Sequence, residues 1–264
     1  MRRLGVELCG IAVATVLIAG CDASSLDGSD TSSTPTNASA TGVWSGTDSV
    51  SGLTITALIN SAGQADFIRS DGVQFVGSVQ VSGAAIAGTL GVYADFGSTF
   101  GDGSTHGLGT LSGTVTGGGS MTADVAFTTD GGSSVSGTWS LSFDTLSDSG
   151  SSLTAISGNY TDGTTGAVVS ISGSGQMHSQ DASTGCVLNG TVTTTAANID
   201  VYQVAYSYES CSGSPAVLDG VPFTGLAVLN ASASPVQVII GVSGQSTAQS
   251  STVDYGLVSY LNGT

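Results

Sequence analysis

From Gly42 onward, apolar and polar residues alternate with a period of two. The stretch "LTITALI" sets Leu53, Ile55, Ala57 and Ile59 on one side, and "MTADVAF" does the same with Met121, Ala123, Val125 and Phe127. In "SVSGTWSLSFD" the shared face carries Val135, Trp139, Leu141 and Phe143, and in "VQVIIGV" it carries Val236, Val238, Ile240 and Val242. Successive side chains of a strand point to opposite faces, so this pattern predicts antiparallel strands with one face in a core. No convincing helical stripe runs through the same region, and the surface helix formers Lys, Arg and Glu are nearly absent. Forty glycines, many in DG, GG and SG pairs, supply the turns.

Eight strands are expected in the first half, near residues 43–47, 52–60, 64–70, 72–82, 84–95, 108–116, 120–129 and 134–144. Eight more are expected near 153–162, 165–173, 175–181, 184–194, 199–209, 222–231, 236–246 and 252–262, with "DTLSDSGSS" between the sets as a linker or shared turn. The halves echo each other in order. "GVWSGT" matches "SGNYTD", "INSAGQADF" matches "ISGSGQMHS", "FVGSVQV" matches "VLNGTVT" one insertion later, and "FGDGSTHGLGTL" faces "LDGVPFTGLAVL". The expected fold is all-β: two similar antiparallel eight-stranded barrel-like units, residues 42–148 and 149–264, that arose by duplication. Closing each sheet on itself removes edges that would template aggregation.

What precedes Gly42 changes the picture. Met1-Arg2-Arg3 and the apolar run "LCGIAVATVLIAG" have the form of a secretory signal, too short to span a bilayer comfortably. The run ends Ile18-Ala19-Gly20-Cys21, which resembles a bacterial lipobox. That resemblance implies a signal peptide over residues 1–20 and acylation of Cys21, a membrane anchor that is permanent in practice. Residues 21–41, serine- and threonine-rich with Leu26 as the only large apolar residue, read as the acylated cysteine and a flexible, disordered tether reaching about 25 Å. The expected location is the bacterial envelope, with the outer membrane favoured and Asp22 keeping the inner membrane in play.

Export also decides how the remaining cysteines are read. Cys186 and Cys211 are expected to form a disulfide, since an oxidising compartment is the default for such a pair. Past residue 3 the chain holds one cationic side chain, Arg69, and no lysine, within a total of 3 basic and 19 acidic residues and a net charge of −16. Nucleic acid as a partner is thereby excluded, because phosphate neutralisation needs a basic face. A cationic partner would be steered in instead.

Candidate chemistry is sparse. The sequence holds no nucleophile elbow, HExxH, phosphate loop or dinucleotide fingerprint, and only His106 and His178 could serve as a base near neutral pH. No cofactor and no enzymatic activity are expected. The loop "YADFGSTFGDGSTHG" offers Asp95 and Asp102 as weak cation ligands, although its spacing is not that of an EF-hand and no metal site is assigned. "VYQVAYSYES" places Tyr202, Val204, Tyr206 and Tyr208 on one strand face. Those tyrosines are either the core of the second unit, with hydroxyls at the barrel mouth, or an interface for a protein or glycan.

The opening Gly42-Val43-Trp44 is similar to the glycine–tryptophan signature of lipocalins, although the rest of that pattern is missing. The stalk with two β-rich halves resembles, in architecture alone, surface lipoproteins of the factor H-binding and transferrin-binding kind. The leading expectation is a lipid-anchored envelope lipoprotein with a non-enzymatic binding role. Two alternatives stand beside it: a periplasmic inhibitor or immunity-type protein that captures a basic enzyme or toxin, and a lipocalin-like carrier of a small apolar ligand. The carrier requires a cavity inside one barrel.

Overall fold

The computed structural model describes residues 37–246 and 253–264; the expected signal peptide, Cys21 and residues 22–36 of the tether lie outside them. Barrel 1 is formed by β1 (Gly42–Asp48), β2 (Thr54–Ile59), β3 (Gln64–Arg69), β4 (Gln74–Ser82), β5 (Ala85–Tyr93), β6 (His106–Val115), β7 (Ser120–Thr129) and β8 (Ser134–Phe143). Barrel 2 is formed by β9 (Gly158–Asp162), β10 (Val168–Ile171), β11 (Gln176–Gln180), β12 (Val187–Thr194), β13 (Tyr202–Glu209), β14 (Phe223–Asn230), β15 (Gln237–Ser246) and β16 (Val253–Gly263). Each strand pairs antiparallel with the next, and β8 returns to β1 as β16 returns to β9.

Alternation is what closes these sheets around a core. Along β7, Met121, Ala123, Val125 and Phe127 point in and are buried, while Ser120, Thr122, Asp124, Ala126 and Thr128 point out and are exposed. A barrel that spans a membrane carries its apolar band outside, the reverse of this arrangement.

One end of each barrel is sealed by the chain that enters it. Residues 37–41, expected in the flexible tether, instead cover barrel 1: Ala40 is buried, and Ala38 donates its N–H to Gly83 O at 2.8 Å. At barrel 2 the expected strand 153–162 begins as one helical turn, α1 (Leu153–Ile156). Leu153 and Ile156 both face the core, and a separation of three residues suits a helical turn but not a strand. The junction "DTLSDSGSS" is fastened at both ends. The Ser147 hydroxyl accepts from Val43 N–H, and the Ser151 hydroxyl donates to Ala196 O at 2.8 Å.

The two barrels share one register. The Trp44 indole donates to Ala40 O at 2.8 Å, and the Tyr160 hydroxyl donates to Ile156 O at 2.7 Å, four residues back in both cases. Gly63 and Gly175 hold the same turn with φ of 79° and 80°, and each accepts at its carbonyl from the next strand, from Val79 and Val192 respectively. Followed strand by strand from Trp44 and Tyr160, the pairings stay in step around both barrels. Two sequence echoes depart from this register: the first sets Trp44 on Asn159, one residue short of Tyr160, and the fourth departs by four. The fourth aligns Leu111 with Leu229, whereas the pairings place Gly225 opposite Leu111 and Leu229 opposite Val115.

The barrels pack through a seam of Val43, Leu58 and Ile68 from the first and Leu226, Val228 and Ile239 from the second. Among the described residues, no partner reaches the carboxylate oxygens of Asp66 or the side-chain amide of Gln74, and both residues are buried. A Cβ on Gly241 of β15 would lie 2.0 Å from Asp66 Oδ2, so only glycine permits this approach.

Candidate functional site: a cup in barrel 2

The two interiors differ side chain by side chain. In barrel 1 the Trp139 ring lies 5.0 Å from Phe67 and 4.9 Å from Phe75, and Phe127 lies 5.6 Å from Phe75. Arg69 and Asp48 approach to 3.7 Å beside them at the mouth, and the space left among these groups is about 20 Å³. The common register puts Ser179 opposite Phe67, Leu188 opposite Phe75, Ser259 opposite Trp139 and Gly244 opposite Phe127. Where barrel 1 holds four touching aromatic rings, barrel 2 holds two hydroxyls, one aliphatic chain and a glycine.

The result is a cavity of about 470 Å³, whose apolar wall includes Val169, Met177, Leu188, Ile240, Leu257 and Leu261. That volume falls within the roughly 300–1,000 Å³ typical of small-molecule sites. On the far side Tyr206 and Tyr208 enter the lining, their rings 5.4 Å apart and both against Phe223. Burial pushes both phenols above their ordinary range, so the hydroxyls stay protonated. Ser179 is 6% exposed, faces the cavity from β11, and its hydroxyl has no hydrogen-bond partner among the described residues.

Strand length opens the mouth. β9, β10 and β11 have 5, 4 and 5 residues, whereas β15 and β16 have 10 and 11. The wall is therefore low on one side, where Asp162 ends β9 and the β11–β12 turn carries Asp181. Asp162 Oδ1 accepts from the Thr164 and Thr165 N–H groups at 2.9 and 2.8 Å and from the Thr165 hydroxyl at 3.0 Å. Asp181 accepts from the Ser183 hydroxyl and N–H at 2.7 and 2.8 Å and from the Thr184 hydroxyl at 2.8 Å, and these bonds hold its carboxyl below the usual range. Barrel 1 contributes Asp71 and Asp95 from its β3–β4 and β5–β6 turns.

A disulfide joins Cys186 at the foot of β12 to Cys211 beyond β13. It pins a segment that folds back over the mouth as a 3₁₀ turn (Ser214–Leu218), with Leu218 buried against the barrel core and Pro215 on the lining. The Ser212 hydroxyl donates to Thr184 O at 2.6 Å, and Cys211 N–H donates to Asp219 at 2.9 Å.

The tyrosines expected as either core or interface lie inside barrel 2. Tyr202 is fully buried at the sealed end, where its hydroxyl accepts from Ser152 N–H at 3.0 Å, while Tyr206 and Tyr208 lie at the cup. Asp95 and Asp102, the weak cation candidates, engage different turns. Asp95 packs on Gly72, whereas Asp102 accepts from Thr129, Ser104 and Ser133. His106 meets Asp130 at 3.1 Å and His178 meets Asn189 at 3.1 Å, both outside the cup lining.

Ser179, Ser259, Asp162 and Asp181 were not foreseen as site residues. A signal for the first existed, because "INSAGQADF" laid over "ISGSGQMHS" already sets Phe67 against Ser179. No protein-family model matches the chain, and no curated protein matches it in sequence.

Proposed function

We propose that this chain is a lipid-anchored envelope protein that binds a small, mainly apolar molecule in the cup of barrel 2, in the manner of a lipocalin-like carrier. The observation that carries the reading is the exchange of barrel 1's packed aromatic rings for Ser179, Leu188, Ser259 and Gly244 in an otherwise identical register. Anchoring rests on Ile18-Ala19-Gly20-Cys21, and the carrier reading rests on the apolar wall of the cup, with both histidines, His106 and His178, outside its lining. Barrel 1, filled and joined to barrel 2 through the seam, serves as the rigid support.

The test refills the cup. Binding of the neutral probe 4-phenylbutanol is measured by calorimetry on the full chain in nanodiscs, with empty discs as the blank. The expected result is saturable binding that disappears in Ser179→Phe/Ser259→Trp, whose side chains match those of barrel 1. Binding that survives refilling places the ligand elsewhere and overturns the proposal.

A further inference from the structure

The rim defines the ligand's head as the wall defines its body. Apart from tyrosines, the titratable side chains on the cup lining are all aspartates: Asp71, Asp95, Asp162 and Asp181. Arg69, the sole cationic side chain after Arg3, is held by Asp71 through two bonds of 2.8 Å and by Asp48 at 3.7 Å. Continued from the Phe67–Ser179 correspondence, the position of Arg69 in barrel 1 is that of Asp181 in barrel 2. The cation at the mouth of the filled barrel is thus an anion at the mouth of the open one. An anionic head, such as a fatty acid's carboxylate, would meet four carboxylates here and no free cation among the described residues.

The second observation lies deeper. Ser179, a residue more than nine-tenths buried and without a side-chain partner among the described residues, lines the cavity two residues from Asp181 along the same strand direction. A hydroxyl that faces the cavity without a protein partner has its hydrogen-bonding capacity free, so the position suits a polar group on the ligand just inside the rim. We infer that the cup selects a cationic amphiphile, an amine whose apolar body lies among Val169, Met177, Leu188 and Leu257 and whose ammonium sits between Asp162 and Asp181 with Ser179 as an acceptor. An ammonium offers only donors, and carboxylates and a hydroxyl oxygen offer the matching acceptors. The inference rests on the carrier reading above. It also assigns barrel 1 a part in specificity, because Asp95 stands at the entrance while Asp71 holds Arg69 and takes that cation out of play.

Three probes with one body and different heads decide the matter: 4-phenylbutylamine, 4-phenylbutanol and 4-phenylbutyrate, titrated at pH 7 into the full chain in nanodiscs. The amine is expected to bind at least ~10-fold more tightly than the carboxylate, with the alcohol between them. Asp162→Asn keeps the one oxygen that its turn donors use, and Asp181→Asn keeps the acceptor of Ser183 while giving up that of Thr184. Each is expected to weaken the amine several-fold and to change the alcohol much less. Added salt should narrow the gap between amine and carboxylate. Equal or tighter binding of the carboxylate, or amine binding indifferent to both substitutions, overturns the charge selection and leaves the carrier reading standing. If none of the three binds, the carrier reading falls and this inference falls with it.

Discussion

Barrels 1 and 2 have the same strand order, the same register and the same way of sealing one end, yet one is solid and the other hollow. Barrel 1 packs Phe67, Phe75, Phe127 and Trp139 into its interior, whereas a cavity of about 470 Å³ opens at the mouth of barrel 2, walled by its inward side chains and by the β3–β4 and β5–β6 turns of barrel 1. The difference shows that a small barrel's backbone does not decide whether it holds a ligand. Interior side chains do. The register exchanges Phe67, Phe75 and Trp139 for Ser179, Leu188 and Ser259, while Tyr206, Tyr208 and Phe223 stand where barrel 1 has Leu90, Val92 and Gly109. The rings are moved to one side and a gap is left on the other. A cavity removes dispersion and burial, so barrel 2 bears a cost that barrel 1 does not. Barrel 2 alone carries a disulfide across its mouth, and its shorter β9–β11 wall is backed by the 3₁₀ turn that drops Leu218 into the core. The hollow barrel has reinforcements that the solid barrel lacks.

The largest test of this comparison is to hollow out the solid barrel. Trp139→Ala removes the ring that touches both Phe67 and Phe75 and should destabilise barrel 1 by about 3–5 kcal/mol. Both tryptophans of the sequence, Trp44 and Trp139, lie in barrel 1, so the remaining indole of Trp44 reports its unfolding in urea. A loss below about 1 kcal/mol would mean that the ring is not the plug its contacts describe.

Next in size is the reinforcement of the hollow barrel. Cys186→Ser/Cys211→Ser opens a cross-link spanning 25 residues and should cost barrel 2 about 2–4 kcal/mol. The segment carrying Pro215 and Leu218 would lose its anchor, so the same variant should bind 4-phenylbutanol more weakly. Tryptophan fluorescence, confined to barrel 1, should shift its urea midpoint less than a tyrosine or circular dichroism signal does. Equal shifts in all probes would show that the barrels unfold as one body and that the disulfide serves both.

Much of this organisation was legible in the alternation. β7 and β15 run from Ser120 to Thr129 and from Gln237 to Ser246, close to the stretches the period-two pattern marks. The pairing of Cys186 with Cys211 followed from export chemistry. What the pattern could not carry was depth. Tyr206 and Ser179 occupy inward positions of the same kind, and only the closed barrel shows that one borders a gap the other fails to fill. Leu153–Ile156 was legible only once the barrel end that it covers was known, because a four-residue turn of helix leaves too short a trace in hydropathy. Asp66 was equally hidden. On an alternating strand its position reads as a solvated face, as it is for His178, its counterpart in barrel 2.

Asp66 gives the smallest effect and sharpens the comparison at the seam. The outward face of β3 is covered by barrel 2, and Asp66 stands against Gly241 without a partner among the described residues; the equivalent face of β11 leaves His178 exposed. Burial raises the Asp66 carboxyl from its ordinary 3.8 to about 8. The folded protein therefore keeps this proton through a range where the unfolded chain has released it, and stability is full below about 4 and is lost as pH rises through about 8. Tyr93 and Gln74 on barrel 1 and Ser243 and Asp254 on barrel 2 complete the polar surroundings, with His106 4.0 Å from Asp254. Their own titrations cancel when wild type is compared with a variant changed only at Asp66. Asp66→Asn keeps the shape and cannot ionise, so relative to wild type it should gain about 1–3 kcal/mol between pH 4, below which wild type has its full stability, and pH 9. Urea midpoints at the two pH values measure this directly. A constant difference between the proteins at both would mean that Asp66 is ionised in the folded seam, and the seam would then have to hold a charge that its apolar neighbours Leu58, Ile68 and Val228 offer no means to stabilise.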